Sequence, residues 1–587
     1  MRYGIQSLVA VGLSLASLVL VTADRQARSQ DGPTSDSLVV RGGTVVDVQQ
    51  GKLLPNTDIV VQGERITQVG PTGHVNAPAG AQVITATGKF VLPGLWDTHA
   101  HTRDYDGALN IHFGVTSTMD MGNLMDWILS LQEAREKEMS FGPRVYPAGM
   151  AIGGKLGPHE WNVKTPEEAR WAARQNIAAG VSFLKVYQEA NCGIVKAVAE
   201  EAHNAGLNLH GHLRDCDARG AVLAGINAIA HESGVAAATT PPAVLAENRS
   251  RNKNESGGLG LPEALEDSEM FDDLIKLMVD KNVRLEPNIV GVFHGAYPQW
   301  DKYELEQHRL SRDPSLGYLP EIYVRMWFTD FTFHPYPPTP ELHERLLKAL
   351  ANHQLFARKF VAGGGKILVG TDNYYHVPAG IGVWEEMELL AEAQIPNLAI
   401  LQGATINPAL FVHQDKNLGT IEVGKLADMD IFNKNPLDDI TYVRTLETVI
   451  QHGKVQDRVF HSDYREPIPR PYLPVNGELP RPYISSVQPS AVPIGTRTLT
   501  LTIKGRDFNA LDHVMWQDVE LKVTSFSPTE INAVVPDELL RRAGTNKVQM
   551  ITGGRVHQPS YNFQEVMVTF GRKFDQRWNG QNLSVEF

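Results

Sequence analysis

His99 and His101 stand two residues apart at the end of the apolar run VLPGLWDTHAH, residues 91 to 101. The two-residue period of a strand puts both imidazoles on one face. Such a pair is either half of a metal site or two ordinary polar residues at a strand end. Lys185 lies inside SFLKVY, residues 182 to 187. An inward ammonium there is costly to desolvate unless it is paired or neutralised, and the plain alternative is a lysine that snorkels from the strand end. His210 ends the run LNLH, His231 ends NAIAH, and Asp372 follows KILVG. Four histidines, one aspartate and one lysine can hold two divalent metal ions if the lysine is converted to a carbamate. Its two oxygens would then serve one metal each, and a water between the metals would be acidified towards neutrality. Imidazole and carboxylate donors suit zinc, and manganese, cobalt or iron fit the same set.

These residues need a scaffold that brings distant strand ends together. From about residue 91 to 408, short apolar runs alternate with helical patterns, as repeated β/α units do. The expected strands are Val91 to Leu95, Val115 to Met119, Arg144 to Ala148, Ser182 to Tyr187, Leu207 to His212, Ala228 to His231, Val283 to Pro287 and Lys366 to Gly370. Eight units over this length predict an α/β fold, a (β/α)8 TIM-type barrel whose usual size is about 250 residues before insertions. Each candidate ligand then falls near a strand C-terminus, the end where barrel enzymes place their chemistry.

Residues 38–90 and 409–463 read as short β-branched strands that build a small accessory β-sandwich from both flanks. Six prolines between Glu466 and Pro482 predict a stiff, extended linker over 464–482. Beyond it, 483–587 reads as an all-β immunoglobulin-like sandwich. At the other end, Arg2, the apolar run Leu8 to Val21 and the small residues of Val21-Thr22-Ala23 predict a cleaved signal peptide over 1–23, with an uncleaved anchor as the alternative. Residues 24–37 read as a disordered lead-in.

With 67 acidic against 54 basic side chains the chain of 587 residues carries a net charge of −13 and no long basic run, which excludes a dedicated nucleic-acid binder. Hydrophobic residues at 42% exclude disorder throughout. The two cysteines, Cys192 and Cys216, read as small buried packing residues that build no disulfide framework.

In order along the chain, VLPGLWDTHAH, LKVY, LHGH followed by HES, LVGTDN, GATINPALF and LGTIEVGKLADMDIF resemble the amidohydrolase superfamily over roughly residues 38 to 460. Within it the chain is most similar to the imidazolonepropionase-related and prolidase-like branch. That resemblance implies a binuclear metal-dependent hydrolase, with zinc as the expected metal. His99, His101 and Asp372 would bind one ion, His210 and His231 the other, and N6-carboxylated Lys185 would bridge. It also implies that Asp372 is the catalytic base, taking a proton from the bridging water and passing it to the leaving nitrogen. The expected reaction is cleavage of an amide bond in a dipeptide or N-acyl amino acid. Deamination or cyclic-amide opening is the alternative within enzymes, and a non-catalytic extracellular binding protein is the alternative of another class.

Substrate contacts are less legible. His159 follows the third strand in KLGPHEW, where related peptidases often read Gly-Gly-His and this chain has proline in place of the second glycine. Tyr187 and His212 lie two residues beyond Lys185 and His210, so each could reach substrate or pack behind the ligands. Residues 293–340 are rich in aromatic side chains, as a lid, a dimer contact or a self-packed loop would be. The segment PYISSVQPSAVPIGTRTLTLTIKGRDF, residues 482 to 508, resembles immunoglobulin-like domains of the IPT/TIG type, which implies binding, assembly or spacing. The expected setting is secreted or periplasmic, with a small-molecule amide or peptide as partner, no nucleic acid, and no membrane once the signal is cleaved. A homo-oligomer stays open.

Overall fold

The computed structural model describes residues 37–154, 159–241, 243, 269–293, 310, 313–319, 340–373, 377–470, 482–510, 512–517, 519–551 and 563–569. The expected signal peptide, the lead-in up to residue 36 and most of the aromatic insertion lie outside the described residues. Among the described residues no helix is long and apolar enough to cross a membrane.

The chain opens with Ser37–Asp47 (β1), Lys52–Gln62 (β2), Arg65–Pro71 (β3), Gln82–Thr85 (β4) and Phe90–Pro93 (β5). The barrel strands follow: Leu95–Ala100 (β6), Val115–Asp120 (β7), Arg144–Pro147 (β8), the short Ala151–Ile152 (β9) and Glu160–Trp161 (β10), then Leu184–Val186 (β11), Leu209–Gly211 (β12), Ala228–Ala230 (β13) and Arg284–Glu286 (β14). After the barrel come Met429–Phe432 (β15), Leu446–Gln451 (β16) and Lys454–Val455 (β17). Strands from both flanks join one eight-stranded sheet in the order β17-β16-β15-β5-β1-β2-β3, with β4 on β1.

The barrel is a ring of parallel staves in two sheets, β6-β7-β8 and β10-β9-β11-β12-β13-β14. Hydrogen bonds close the gaps. Ser182 N donates to Pro147 O at 2.8 Å between the sheets. The eighth stave is the extended segment 366–372: Leu368 N donates to Leu285 O at 2.8 Å on one side, and Thr98 N to Val369 O at 3.0 Å on the other. Asp372 N then donates to His99 O at 2.8 Å, so the first and eighth staves meet at two candidate ligands.

The first barrel stave differs from the expectation. Phe90–Pro93 pairs with β1 and β15 in the accessory sheet, and the barrel starts at Leu95. The chain changes partners at Gly94, whose N–H bonds Asp428 O at 2.9 Å while Leu95 N bonds Gly114 O at 3.2 Å. A Cβ at residue 94 would lie 2.2 Å from Thr116 Oγ1, so only glycine lets the two layers approach here.

Local chemistry sets the helices that hold the staves apart. In the helix Pro166–Ala179, Thr165 Oγ1 accepts from Glu168 N, Glu168 reaches back to Lys164 N, proline opens the first turn and left-handed Gly180 ends it. Inside the ring, Trp96, Met119, Tyr146, Phe183, Ala228 and Leu368 form an apolar floor with Phe411. Trp96 stacks on Tyr146 with ring centroids 4.9 Å apart. Cutting Trp96 to alanine in such a floor costs about 3–5 kcal/mol.

Two further features depart from the sequence reading. Cys192 and Cys216 are joined in a disulfide with Cα atoms 4.9 Å apart, so they are a covalent tie and not merely packing residues. The reason is topological: each lies at the start of the helical unit that follows one of two adjacent staves, β11 and β12. Second, the first part of the expected linker is packed on the barrel. Glu466 pairs with Arg135 at 2.8 Å, both side chains being 2% exposed, and Ser140 Oγ donates to Glu466 at 2.6 Å. Trp127 Nε1 donates to Ile468 O at 2.9 Å. Residues 471–481 lie outside the described residues. The C-terminal strands are Tyr483–Gln488 (β18), Ala491–Pro493 (β19), Leu499–Arg506 (β20), His513–Trp516 (β21), Val519–Ser527 (β22), Glu530–Val535 (β23), Gly544–Ile551 (β24) and Gln564–Thr569 (β25). They form an all-β unit with its own core around Leu501, Ile503, Trp516 and Val548.

Candidate active site

The strand ends of five staves converge above the apolar floor. His99 is the penultimate residue of β6, His101 follows that strand, Lys185 is central in β11, His210 is central in β12, His231 follows β13 and Asp372 caps the eighth stave. Lys185 pairs directly with His210 across the β11–β12 register. Asp372 is the hub: its Oδ1 lies 3.0 Å from His101 Nε2 and 3.7 Å from His99 Nε2, and its Oδ2 lies 3.7 Å from His231 Nε2. The His99 ring centroid is 5.5 Å from that of His101, 5.8 Å from His210 and 4.7 Å from His231. Lys185 Nζ is 3.3 Å from His210 Nδ1 and 3.6 Å from Met121 Sδ. His231 and Asp372 both have left-handed backbones, at φ 57° and 54°, an uncommon conformation for non-glycine residues that turns each side chain at its stave end.

Burial governs the protonation of this cluster. It pushes the His99 and His210 imidazoles well below their ordinary range, and His231 down to about 4, so these rings are neutral and offer lone pairs. Burial also lowers the Lys185 ammonium to about 8, against the opposing charges of Glu286 and Asp372. For Asp372, burial works against ionisation but His231, His101 and His212 outweigh it and hold the carboxylate charged.

The donor set fits divalent metal ions. His99, His101 and Asp372 offer ligand atoms within 4.8 Å of one another. Both ring nitrogens of His231 are buried without a hydrogen-bond partner, which is costly unless another group satisfies them. Neutral imidazoles beside a charged carboxylate are what zinc-type cations prefer.

The residues read as substrate contacts stand at the same mouth. The His212 ring is tilted against that of His231, with centroids 4.6 Å apart, and Tyr187 lies 5.2 Å from His212. Gln188 Nε2 is 3.1 Å from His212 Nε2. His159 begins the short β10 turn, with Nε2 3.7 Å from Glu160 Oε1. Burial lowers its pKa to about 4, with His101, Arg470 and Arg103 adding like charge.

Sequence reasoning missed four groups. Asp97 accepts from His99 N at 3.1 Å and Thr371 N at 3.0 Å, which locks the first stave to the eighth. Glu286, at the end of β14, lies 2.6 Å from His99 Nδ1 and 2.9 Å from His210 Nε2. Burial raises its pKa well above the carboxylate range, opposed by Lys185 and the Thr98 hydroxyl. Its signal was readable, since it is an acid at the end of the seventh apolar run, the same position as the other ligands. Arg103 Nη1 donates to His101 O at 2.7 Å. Arg470 arrives from the C-terminal strap, donates from Nε to Asn123 Oδ1 at 2.9 Å and lies over Trp127; no local pattern pointed to it.

A stretch of 76 residues is 41% identical to an adenine deaminase from Rubrobacter xylanophilus, covering 13% of this chain and 12% of that protein. A stretch of 67 residues is 46% identical to a dihydroorotase from Pelotomaculum thermopropionicum, covering 11% and 15%. The matches thus span less than a sixth of these relatives. Among solved structures, a Xaa-Pro dipeptidase with bound methionine superposes with TM-score 0.50 at 19% identity over 72% of this chain and 100% of its own, and a bottromycin amidohydrolase with 0.54 at 19% over 72% and 87%. Both likenesses concern the fold. Residues 482–564 match the IPT/TIG domain. With residues 90–456 matching its family model, more than half of the sequence, the chain belongs to the Amidohydrolase family.

Proposed function

We propose that the protein is a hydrolase that cleaves the amide bond of a dipeptide or an N-acyl amino acid at a two-metal centre. The observation that carries this reading is the convergence of His99, His101 and His231 on the two oxygens of Asp372, with Lys185 and His210 alongside. His99, His101 and Asp372 would hold one ion and His210 and His231 the other. Lys185 would bridge as N6-carboxylysine, since an amine lowered to about 8 keeps a usable neutral fraction for reaction with carbon dioxide. Zinc is the metal proposed. Two such ions supply Lewis-acid polarisation of the amide carbonyl and lower the pKa of a bound water.

The chain's own residues then divide the remaining work. Asp372, kept ionised by its histidine neighbours, accepts a proton from water through Oδ1 or Oδ2 and returns it to the leaving nitrogen. Tyr187 and His212, in ring contact at the mouth, are placed to orient the scissile carbonyl. Arg103 and Arg470, whose charges act on neutral His159, give this part of the rim a cationic character, which suits a substrate with a free carboxylate.

A second reading, deamination or opening of a cyclic amide, is favoured by the short matches to an adenine deaminase and a dihydroorotase. The cationic rim favours a substrate that carries a free carboxylate, a charge pair that a neutral purine does not offer. The disulfide supports a secreted or periplasmic setting, where such bonds persist. The test is a panel of N-acyl amino acids and dipeptides, Xaa-Pro included, assayed with protein of measured metal content. Amine and acid released together at about two metals per chain is the expected result. Ammonia release alone would move the assignment to deamination, and an inert protein without metal affinity would end the enzyme reading.

A further inference from the structure

We infer that Glu286 is the positioning residue of the centre: one carboxylate that sets which ring nitrogen His99 and His210 present, and so tunes both proposed metal positions at once. The inference rests on the two-metal reading and goes beyond it, because Glu286 is not among the residues assigned to bind a metal.

Glu286 is completely buried at the end of β14. Its Oε2 faces His99 Nδ1 at 2.6 Å and His210 Nε2 at 2.9 Å, the latter off the hydrogen-bond axis. Its Oε1 accepts from the Thr98 hydroxyl, and its backbone carbonyl accepts from His231 N at 2.8 Å. One residue therefore touches three of the four histidines. The Thr98 hydroxyl and His99 Nδ1 take up the two oxygens, while His210 Nε2 stands beside Oε2 without hydrogen-bond geometry. His99 is left with the lone pair on Nε2, which points at Asp372, 3.7 Å away. His210 Nδ1, on the other side of its ring, lies 3.3 Å from Lys185 Nζ. The two rings thus turn opposite nitrogens towards Glu286, Nδ1 of His99 and Nε2 of His210. Gly370 makes the space: a Cβ there would lie 2.6 Å from Glu286 Oε1 and 2.6 Å from His99 Cβ.

Direct ligation by Glu286 is the competing arrangement, since His99, His210 and Glu286 also bring ligand atoms within 4.8 Å of one another. The positioning role is favoured because Glu286 faces His99 Nδ1 and His210 Nε2, while Asp372 and Lys185 face the other nitrogens of those rings. Partners of this kind raise ligand basicity and fix ring orientation, and their loss typically weakens metal binding about 10- to 100-fold.

The test uses the full chain and zinc ions alone. In Glu286→Gln, which keeps the volume but replaces one acceptor oxygen by a donor amide, affinity for both ions measured by chelator competition should fall about 10- to 100-fold. Glu286→Asp, shorter but still anionic, should recover part of that loss. Cobalt-loaded Glu286→Gln should also show an altered visible ligand-field spectrum, a readout that does not depend on turnover. Independently of any variant's folding, anomalous scattering from zinc-loaded wild-type crystals should place His99 Nε2 and His210 Nδ1 on the metals with Glu286 outside ligand distance. Ligation through His99 Nδ1 or by Glu286 itself would overturn the inference, as would a folded Glu286→Gln that binds both ions as tightly as wild type. Wild-type protein that takes up no zinc would instead overturn the two-metal reading, and the inference with it.

Discussion

Replacing Cys192 by serine together with buried Cys216 by alanine opens the tie between the loops that follow Lys185 and His210. The two cysteines are 24 residues apart, and closing a loop of that length removes unfolded-chain entropy equivalent to about 3.4 kcal/mol at 25 °C. Unfolding entropy near 2.1 cal/mol/K per residue gives about 0.9 kcal/mol/K for a barrel and accessory sheet of roughly 420 residues, so the melting midpoint should drop by about 4 °C. Activity should change much less. The same loops stay joined by Asp215 N to Gln188 O at 3.0 Å, Arg214 to Gln188 at 2.9 Å and Arg214 to Glu189 at 2.8 Å. Paired thermal scans at one heating rate, with a thiol titration of unfolded, unreduced wild type, decide the matter. A midpoint within 1 °C of wild type, or two titratable thiols in the wild-type chain, would refute the reasoning.

Lys185→Ala should empty at least one metal position and abolish turnover; metal content and rate equal to wild type would exclude the bridge. Asp372→Asn removes a ligand and the proposed base together and should lower kcat by at least about 100-fold, read in steady-state assays at fixed metal. Arg470→Ala should raise KM about 10- to 100-fold for a substrate with a free carboxylate, the value of one charge-assisted hydrogen bond, and leave its carboxamide analogue unchanged; equal effects on both would remove Arg470 from recognition. Ending the chain after residue 481 should leave the barrel's melting midpoint intact. Ending it after residue 460 removes Glu466 and leaves Arg135 buried without its counter-charge, a loss of about 3–5 kcal/mol that thermal scans of the two truncations compare directly.

The parts of the fold that were legible are those with a period or a local signal. Apolar runs separated by helical stretches announce the staves, and the last residues of those runs, His210, His231 and Asp372, announce which end carries chemistry. What escaped depends on contacts between segments far apart in the chain. Gly94 shows this at the smallest scale: VLPGLW is one apolar run, yet its first half pairs with β1 and β15 and its second with β7, because the steric demand comes from Thr116 on another stave. The disulfide escaped because its cysteines become neighbours only when β11 and β12 lie side by side. Prolines at 467 and 469 correctly imply extension but say nothing of what the extended chain lies on, and Arg470 reaches the rim only because Glu466 and Ile468 are seated first on Arg135 and Trp127.

Glu286 belongs to neither group. It sat in plain view at the end of the seventh run, but a search for metal ligands expects six donors and finds six, so a seventh polar residue at a stave end is surplus to the count. The structure gives it a different kind of work. Buried imidazoles have two nitrogens and only one can face a cation, so a centre built on neutral histidines needs something on the other side to choose between them. Glu286, fully buried and in contact with both His99 and His210, is placed to supply that choice. A strand-end acid beyond the expected ligand count is therefore better read as the residue that orients ligands than as a spare one.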